Sequence, residues 1–307
     1  MTTMRDSDPA ASNARPAALV GVLAVVGVGL IGGSFAAALR RRGAVGRVLG
    51  AGRRAGTLEQ ARRLGLIDEA VTLQQAAEQA DLILLAAPVG ATRRILEELA
   101  PHLRSHTIVT DAGSTKLDVV RAAYAALGEK AAQFIPGHPI AGAETTGPQA
   151  ADADLYINRT VVLTPLPENA AEAKNWLTKV WERCGARVMT MDAQAHDVAL
   201  ASVSHVPHFL ASVFMEQVAA AHDSSARMAL AGTGFRDFTR IAAGSPEMWR
   251  DIFMANRDAL LSELQEVRAA LERAEQCVRE GDGEGLHDFL ERAALARRFW
   301  GSRSGLS

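Results

Sequence analysis

The chain has 307 residues, 48% hydrophobic and 22% charged, with a formal net charge of -2 and a pI near 6.5, which is enough for a full core and for two domains. The near-even charge balance supplies no basic field for nucleic acid or an anionic membrane, so the expected partner is a small molecule. Cys184 and Cys277 stand in no CxxC or Cys/His spacing, which argues against a disulfide framework or a zinc site and fits a reducing cytoplasm; no metal is expected.

In chain order, residues 1–18 read as a disordered tail, since the stretch with Asp6, Asp8, Ser12 and Pro16 lacks the basic start of a signal peptide. Residues 17–39 carry no charge and mimic a membrane span in length. The five glycines in that run, Gly21, Gly27, Gly29, Gly32 and Gly33, make poor helix interior. The run is therefore read as a buried strand over 19–26, a glycine turn, and the start of a helix over 34–42. Strands over 45–51, 82–87 and 106–110 then alternate with helices over 57–64, 92–103 and 115–127. A short strand over 133–135, a strand over 159–164, a helix over 169–184 and a strand over 187–191 complete the same sheet.

This alternation predicts an α/β fold, a Rossmann-type, mostly parallel sheet domain over 19–191. Beyond Asp192 the strand signals stop, and an all-helical domain is expected over 192–307 for substrate binding and dimerisation. A long helix over 252–280 with apolar residues at helical spacing suits packing against a second copy, hence a homodimer. Pro207 predicts a kink in an earlier helix of this region.

The segment Gly27-Val28-Gly29-Leu30-Ile31-Gly32 sets a GxGxxG pattern between a predicted strand and a predicted helix. The first glycine allows the tight turn, the second lets backbone approach a pyrophosphate, and the third lets strand and helix pack closely. Gly27, Gly29, Leu30, Ile31 and Gly32 are thus candidate dinucleotide contacts, with Pro88 at the end of a neighbouring strand. A carboxylate that would hold the ribose of NAD is missing from the end of the second strand, where Gly52, Arg53 and Arg54 follow instead. Arginine suits a phosphate, so NADP is favoured with NAD possible; the alternative is a solvated arginine loop.

Two further segments fall just past predicted strand ends, where ligands of such sheets bind: Asp111-Ala112-Gly113-Ser114-Thr115-Lys116, and the stretch from Pro136 to Glu144. His138, in a stiff loop between Gly137 and Pro139, is placed to accept a hydrogen bond or proton from a hydroxyl whose carbon loses hydride. Ser114 either bonds the same oxygen or caps a helix.

With VGVGLIGGS (26–34), TDAGSTK (110–116), GHPIAGAE (137–144), SHVPH (204–208), GFRDFTRIA (234–242) and MWRDIF (248–253), the chain resembles the prephenate and arogenate dehydrogenase family of tyrosine biosynthesis. The resemblance implies oxidative decarboxylation of a cyclohexadienol, with hydride passing from ring carbon C4 to NAD(P)+. It implies that His138 takes the hydrogen bond from the 4-hydroxyl, Ser114 assists near that oxygen, and Arg240 binds the ring carboxylate. It puts Ser204, His205 and His208 near the substrate side chain and Glu144 and Trp249 at the lining of the site, although Trp249 equally suits a core. Lys116, Arg236 and Arg250 are further anion contacts to weigh, and His196, His205 and His208 have no standard metal-ligand spacing. The rival readings are a 3-hydroxyacid or 6-phosphogluconate type dehydrogenase and a non-catalytic NADP-sensing dimer. The first relies on a lysine in the helical domain, and no lysine follows Lys179.

Overall fold

The computed structural model describes residues 18–143 and 145–304. The expected tail lies outside them, apart from Ala18. The described residues form two compact units, one ending at His196 and one starting at Asp197.

The first unit opens with β1 (Val20–Val26), whose apolar residues pack alternately into two cores, Leu23 and Val25 on one face and Ala24 and Val26 on the other. A strand covered on both faces reads as a continuous apolar run, which is why residues 17–39 imitate a membrane span. It is followed by α1 (Leu30–Arg41), β2 (Val45–Ala51), α2 (Ala55–Arg63), β3 (Glu69–Ala70), α3 (Leu73–Gln79), β4 (Leu82–Leu85), α4 (Thr92–Leu99), β5 (Ile108–Asp111), α5 (Leu117–Leu127) and β6 (Phe134–Ile135). All pairings are parallel in the order β3-β2-β1-β4-β5-β6. This is the Rossmann order, with its switch point between β1 and β4. The sequence reading misses β3 and α3: β3 is two exposed residues, and α3 betrays itself only by the Thr72/Gln75 capping box.

The later strands depart from expectation. They do not complete the main sheet but form a second one, in which β7 (Gly137–Pro139) runs antiparallel to β8 (Thr160–Leu163), and β8 runs parallel to β9 (Arg187–Thr190) after α6 (Ala171–Arg183). Pro136 is the physical reason. It has no amide hydrogen with which to extend β6, while its carbonyl accepts the Thr164 N–H at 2.9 Å and so begins the second ladder. His138 consequently sits in a strand, opposite Val162, rather than in a loop.

The chain continues as α7 (Ala193–Leu200), a π-helical turn over Ala201–His205, α8 (Val206–Ala219), α9 (Ser224–Ala229), α10 (Thr233–Thr239), a 3-10 turn over Arg240–Ala243, α11 (Pro246–Ala255), α12 (Arg257–Glu280) and α13 (Gly283–Ser304). The kink expected at Pro207 takes the form of the preceding π turn, which gives the proline ring room against the carbonyl four residues back. The expected single helix over 252–280 is broken at Asn256, whose buried amide donates to the Asp197 carbonyl at 2.7 Å. The run Ala193–Ala219 is long and apolar enough to cross a membrane by length and composition alone, yet His196, Asp197 and His205 on it are buried in protein.

Candidate active site

The glycine turn at the carboxyl end of β1 is shaped by contacts that only glycine permits. Gly27 has φ +95°, and a Cβ there would lie 2.5 Å from the Ala86 carbonyl oxygen; at Gly32 it would lie 2.5 Å from both the Gly27 oxygen and Val25 Cγ1. Gly29 is different, since a Cβ would meet nothing within 4 Å. Protein packing does not require glycine there, whereas a phosphate approaching the backbone does. Gly29 is also the N-cap of α1 and offers no side chain to the first-turn amides of Leu30, Ile31 and Gly32. Those donors and the helix dipole fit a pyrophosphate. Arg53 and Arg54 are exposed just past β2, and Pro88 follows β4 on the far side of the switch point.

A second group of residues gathers at the ends of β5 and β6. The Asp111 carboxylate, 2% exposed, accepts the Gly113 N–H at 2.8 Å and the Gly137 N–H at 3.0 Å. Lys116, wholly buried, bonds that carboxylate and donates to the Gly137 carbonyl at 2.8 Å. One ion pair therefore fixes both the segment leading into Ser114 and the residue before His138. Lys116 is committed inside the protein and is withdrawn as an anion contact. Ser114 is half-buried two residues ahead of Lys116, the N-cap of α5, so it is not the cap residue. His138 is buried at 9% exposure, with Nδ1 2.9 Å from Nε2 of the fully buried His196.

In the second unit, the turn over Ala201–His205 brings two histidines to one tryptophan. His208 stacks on Trp249 with centroids 3.6 Å apart, and His205 meets the same ring edge-on at 6.4 Å. The His208 Nδ1–H donates to the Ser204 carbonyl at 2.9 Å, so in the neutral ring Nε2 is an acceptor. Burial lowers the pKa of His208 below its ordinary value; the charge of Arg240 adds to that, and the Ser204 bond opposes it. Arg240 is thus an electrostatic neighbour of His208, exposed at the start of a 3-10 turn. Asn256 donates to His205 Nδ1 at 3.1 Å, which holds the hydrogen of that neutral ring on Nε2. Arg236 and Arg250 are exposed and paired with Asp237 and Asp251. Glu144 lies outside the described residues.

Comparisons with known proteins agree across both units. The family model described as prephenate dehydrogenase, nucleotide-binding domain matches residues 35–190, and that described as prephenate dehydrogenase, dimerization domain matches residues 192–292. The chain belongs to the prephenate dehydrogenase family. It is 34% identical over 278 residues to a cyclohexadienyl dehydrogenase of Zymomonas mobilis, covering 90% of this chain and 94% of that one. Against a prephenate dehydrogenase of Bacillus subtilis it is 34% identical, covering 88% and 73%. Among solved structures, prephenate dehydrogenase from Aquifex aeolicus in complex with hydroxyphenyl propionate and NAD+ aligns with TM-score 0.84 and 33% identity, covering 91% and 97%. Synechocystis arogenate dehydrogenase aligns with TM-score 0.77 and 32% identity, covering 91% and 99%. The chain is a Rossmann-type NAD(P)-dependent dehydrogenase, and the hydroxyacid-type reading gains no support.

Sequence patterns put Asp111 just past a strand end without revealing its role as an anchor, and they do not mark His196 or Asn256 as parts of the site. Asp111 and Lys116 stand in the TDAGSTK motif, and their spacing from a strand end to a helix start was the available clue. His196 is 58 positions from its partner, and no local pattern marks it.

Proposed function

We propose that this protein oxidises prephenate, arogenate or both, passing hydride from ring carbon C4 to the cofactor while the ring carboxylate leaves as carbon dioxide. The carrying observation is the match of both family models, one to each unit. A bound NAD(P)+ supplies the hydride acceptor. The electron pair of the broken carbon–carboxylate bond makes the ring aromatic, and the C4 oxygen remains as a phenol. The protein's task is chiefly alignment and charge. His138 accepts the hydrogen bond of the 4-hydroxyl as positive charge develops on C4, and Ser114 bonds the same oxygen. Arg240 holds the ring carboxylate, while Ser204, His205, His208, Glu144 and Trp249 meet the rest of the substrate.

Gly27, Gly29, Leu30, Ile31, Gly32 and Pro88 hold the cofactor. Arg53 and Arg54 make NADP the favoured form, because nothing acidic stands at the end of β2 to repel a 2′-phosphate. On this reading a Rossmann domain spans 19–191 and a helical substrate and dimerisation domain spans 192–307. A homodimer through the helical domain is supported by the apolar side chains exposed on α12 and α13.

The test is absorbance of reduced cofactor with purified protein, each substrate and each cofactor. Turnover of either substrate is expected, and no turnover in any combination would reject the proposal.

A further inference from the structure

His138 and His196 are hydrogen-bond partners through one ring nitrogen each. Their nitrogens are 2.9 Å apart, and the rings meet edge to face with centroids 5.1 Å apart at 67°. In a pair of neutral imidazoles, one nitrogen at such a contact donates and the other accepts. The direction matters for the reading of His138 given above, on which this inference rests. If His138 accepts at Nδ1, its hydrogen is on Nε2, and it can present only a donor to a hydroxyl. If it donates from Nδ1, Nε2 carries the lone pair, the form needed to take the hydroxyl hydrogen.

We propose that His196 is the positioning residue that enforces the second state: its Nε2 accepts the His138 Nδ1–H and fixes both tautomer and ring angle. Both rings rise from rigid backbone. The Asp192 carboxylate accepts the Ala195 N–H at 2.8 Å, and its carbonyl accepts the His196 N–H at 3.0 Å, so His196 stands in the first turn of a capped α7. On the other side, His138 is registered against Val162, and Gly137 before it is bonded through both its N–H and its carbonyl. His196 is wholly buried, so its ring nitrogens must find their hydrogen-bond partners inside the protein. Its part is to orient His138.

Two variants of the full-length protein separate these roles. Gln at position 196 offers a carbonyl oxygen at about the reach of Nε2 and cannot be protonated; Leu offers no acceptor. His196→Leu should lower kcat by about 10- to 100-fold, the range known for outer hydrogen-bond partners of metal-bound histidines, with KM little changed. His196→Gln should keep most of the wild-type kcat. Long-range 1H–15N NMR of 15N-histidine-labelled protein, with the His138 signals assigned from His138→Asn, should show the Nδ1–H form in wild type and in His196→Gln. That preference should be lost in His196→Leu. An unchanged kcat in His196→Leu, equal losses in both variants, or an Nε2–H form of His138 in wild type would each overturn the proposal. The ring measurement stands without turnover. Failure of the functional reading, seen as an inactive wild type, is thus distinct from failure of this one.

Discussion

The Lys116 ammonium lies against the Asp111 carboxylate with neither group open to solvent, 0% and 2% exposed, directly beneath the segments that carry Ser114 and His138. Buried pairs gain little over apolar packing, but removing one partner leaves an uncompensated charge. Lys116→Met should therefore destabilise the protein by about 3–5 kcal/mol. Adding Asp111→Asn should recover part of that loss. Thermal unfolding of the single and double variants checks both statements; a single variant as stable as wild type would show that the pair is not the anchor.

The glycines of the turn differ in what they are for. Gly29→Ala should fold with wild-type stability, since its Cβ meets no protein atom within 4 Å. It should weaken cofactor binding on the order of tenfold, about 1.4 kcal/mol. Gly27→Ala forces a side chain to φ +95° and to 2.5 Å from a backbone oxygen, and should cost about 1–3 kcal/mol of stability from backbone strain. Calorimetric titration with NAD+ and NADP+ beside unfolding curves tells the two effects apart. Gly29→Ala binding as wild type would remove the close-approach argument.

Much of the first unit was legible because a parallel sheet buries its strands on both faces, and uncharged runs such as Ala24, Val25 and Val26 announce that directly. The glycine turn was legible because its constraints are local. What escaped was non-local. The second sheet depends on which ladder Pro136 can join, and the break at Asn256 depends on the Asp197 carbonyl 59 positions away. Pro207 showed that a helix must yield nearby, but the proline alone does not specify the form of the yielding, a π turn over Ala201–His205.

His208 should titrate below the ordinary histidine value of 6.5, chiefly because it is partly desolvated and further because Arg240 is close. The folded protein then binds this proton less readily than the unfolded chain, so unfolding takes up a proton as pH falls below about 6.5 and stability declines in that range. Arg240→Ala removes the repulsive charge and should raise the His208 midpoint, visible by NMR titration. A midpoint that stays put would show that Arg240 does not act on His208. The same substitution should raise KM more than it lowers kcat, as expected for a residue that binds a substrate carboxylate before and during the reaction.

Arg53 is the simplest handle on cofactor choice. Arg53→Asp replaces a donor suited to a 2′-phosphate with a group suited to ribose hydroxyls. One lost charge-assisted bond is worth about 1.5–3 kcal/mol, so the ratio of kcat/KM for NADP+ over NAD+ should fall at least about tenfold. An unchanged ratio would mean that Arg53 is solvated and that the preference is set elsewhere.

On α12 only Leu260 is buried, whereas Leu271 is 64% exposed, Val278 66%, and on α13 Leu290 57% and Phe299 63%. Side chains of this kind contribute about 1.5–3 kcal/mol each when fully covered, so leaving such a row in water is costly unless another surface takes it. A second copy of the chain is the expected cover, and light scattering should give twice 32.6 kDa for the wild type. Leu271→Glu combined with Phe299→Glu puts two carboxylates into that contact and should yield a monomer, because burying unpaired charge costs more than the contact returns. The secondary structure of the variant should persist by circular dichroism, since neither side chain contributes to the core of the described unit. A doubly substituted protein that remains dimeric would place the interface on another face of the helices.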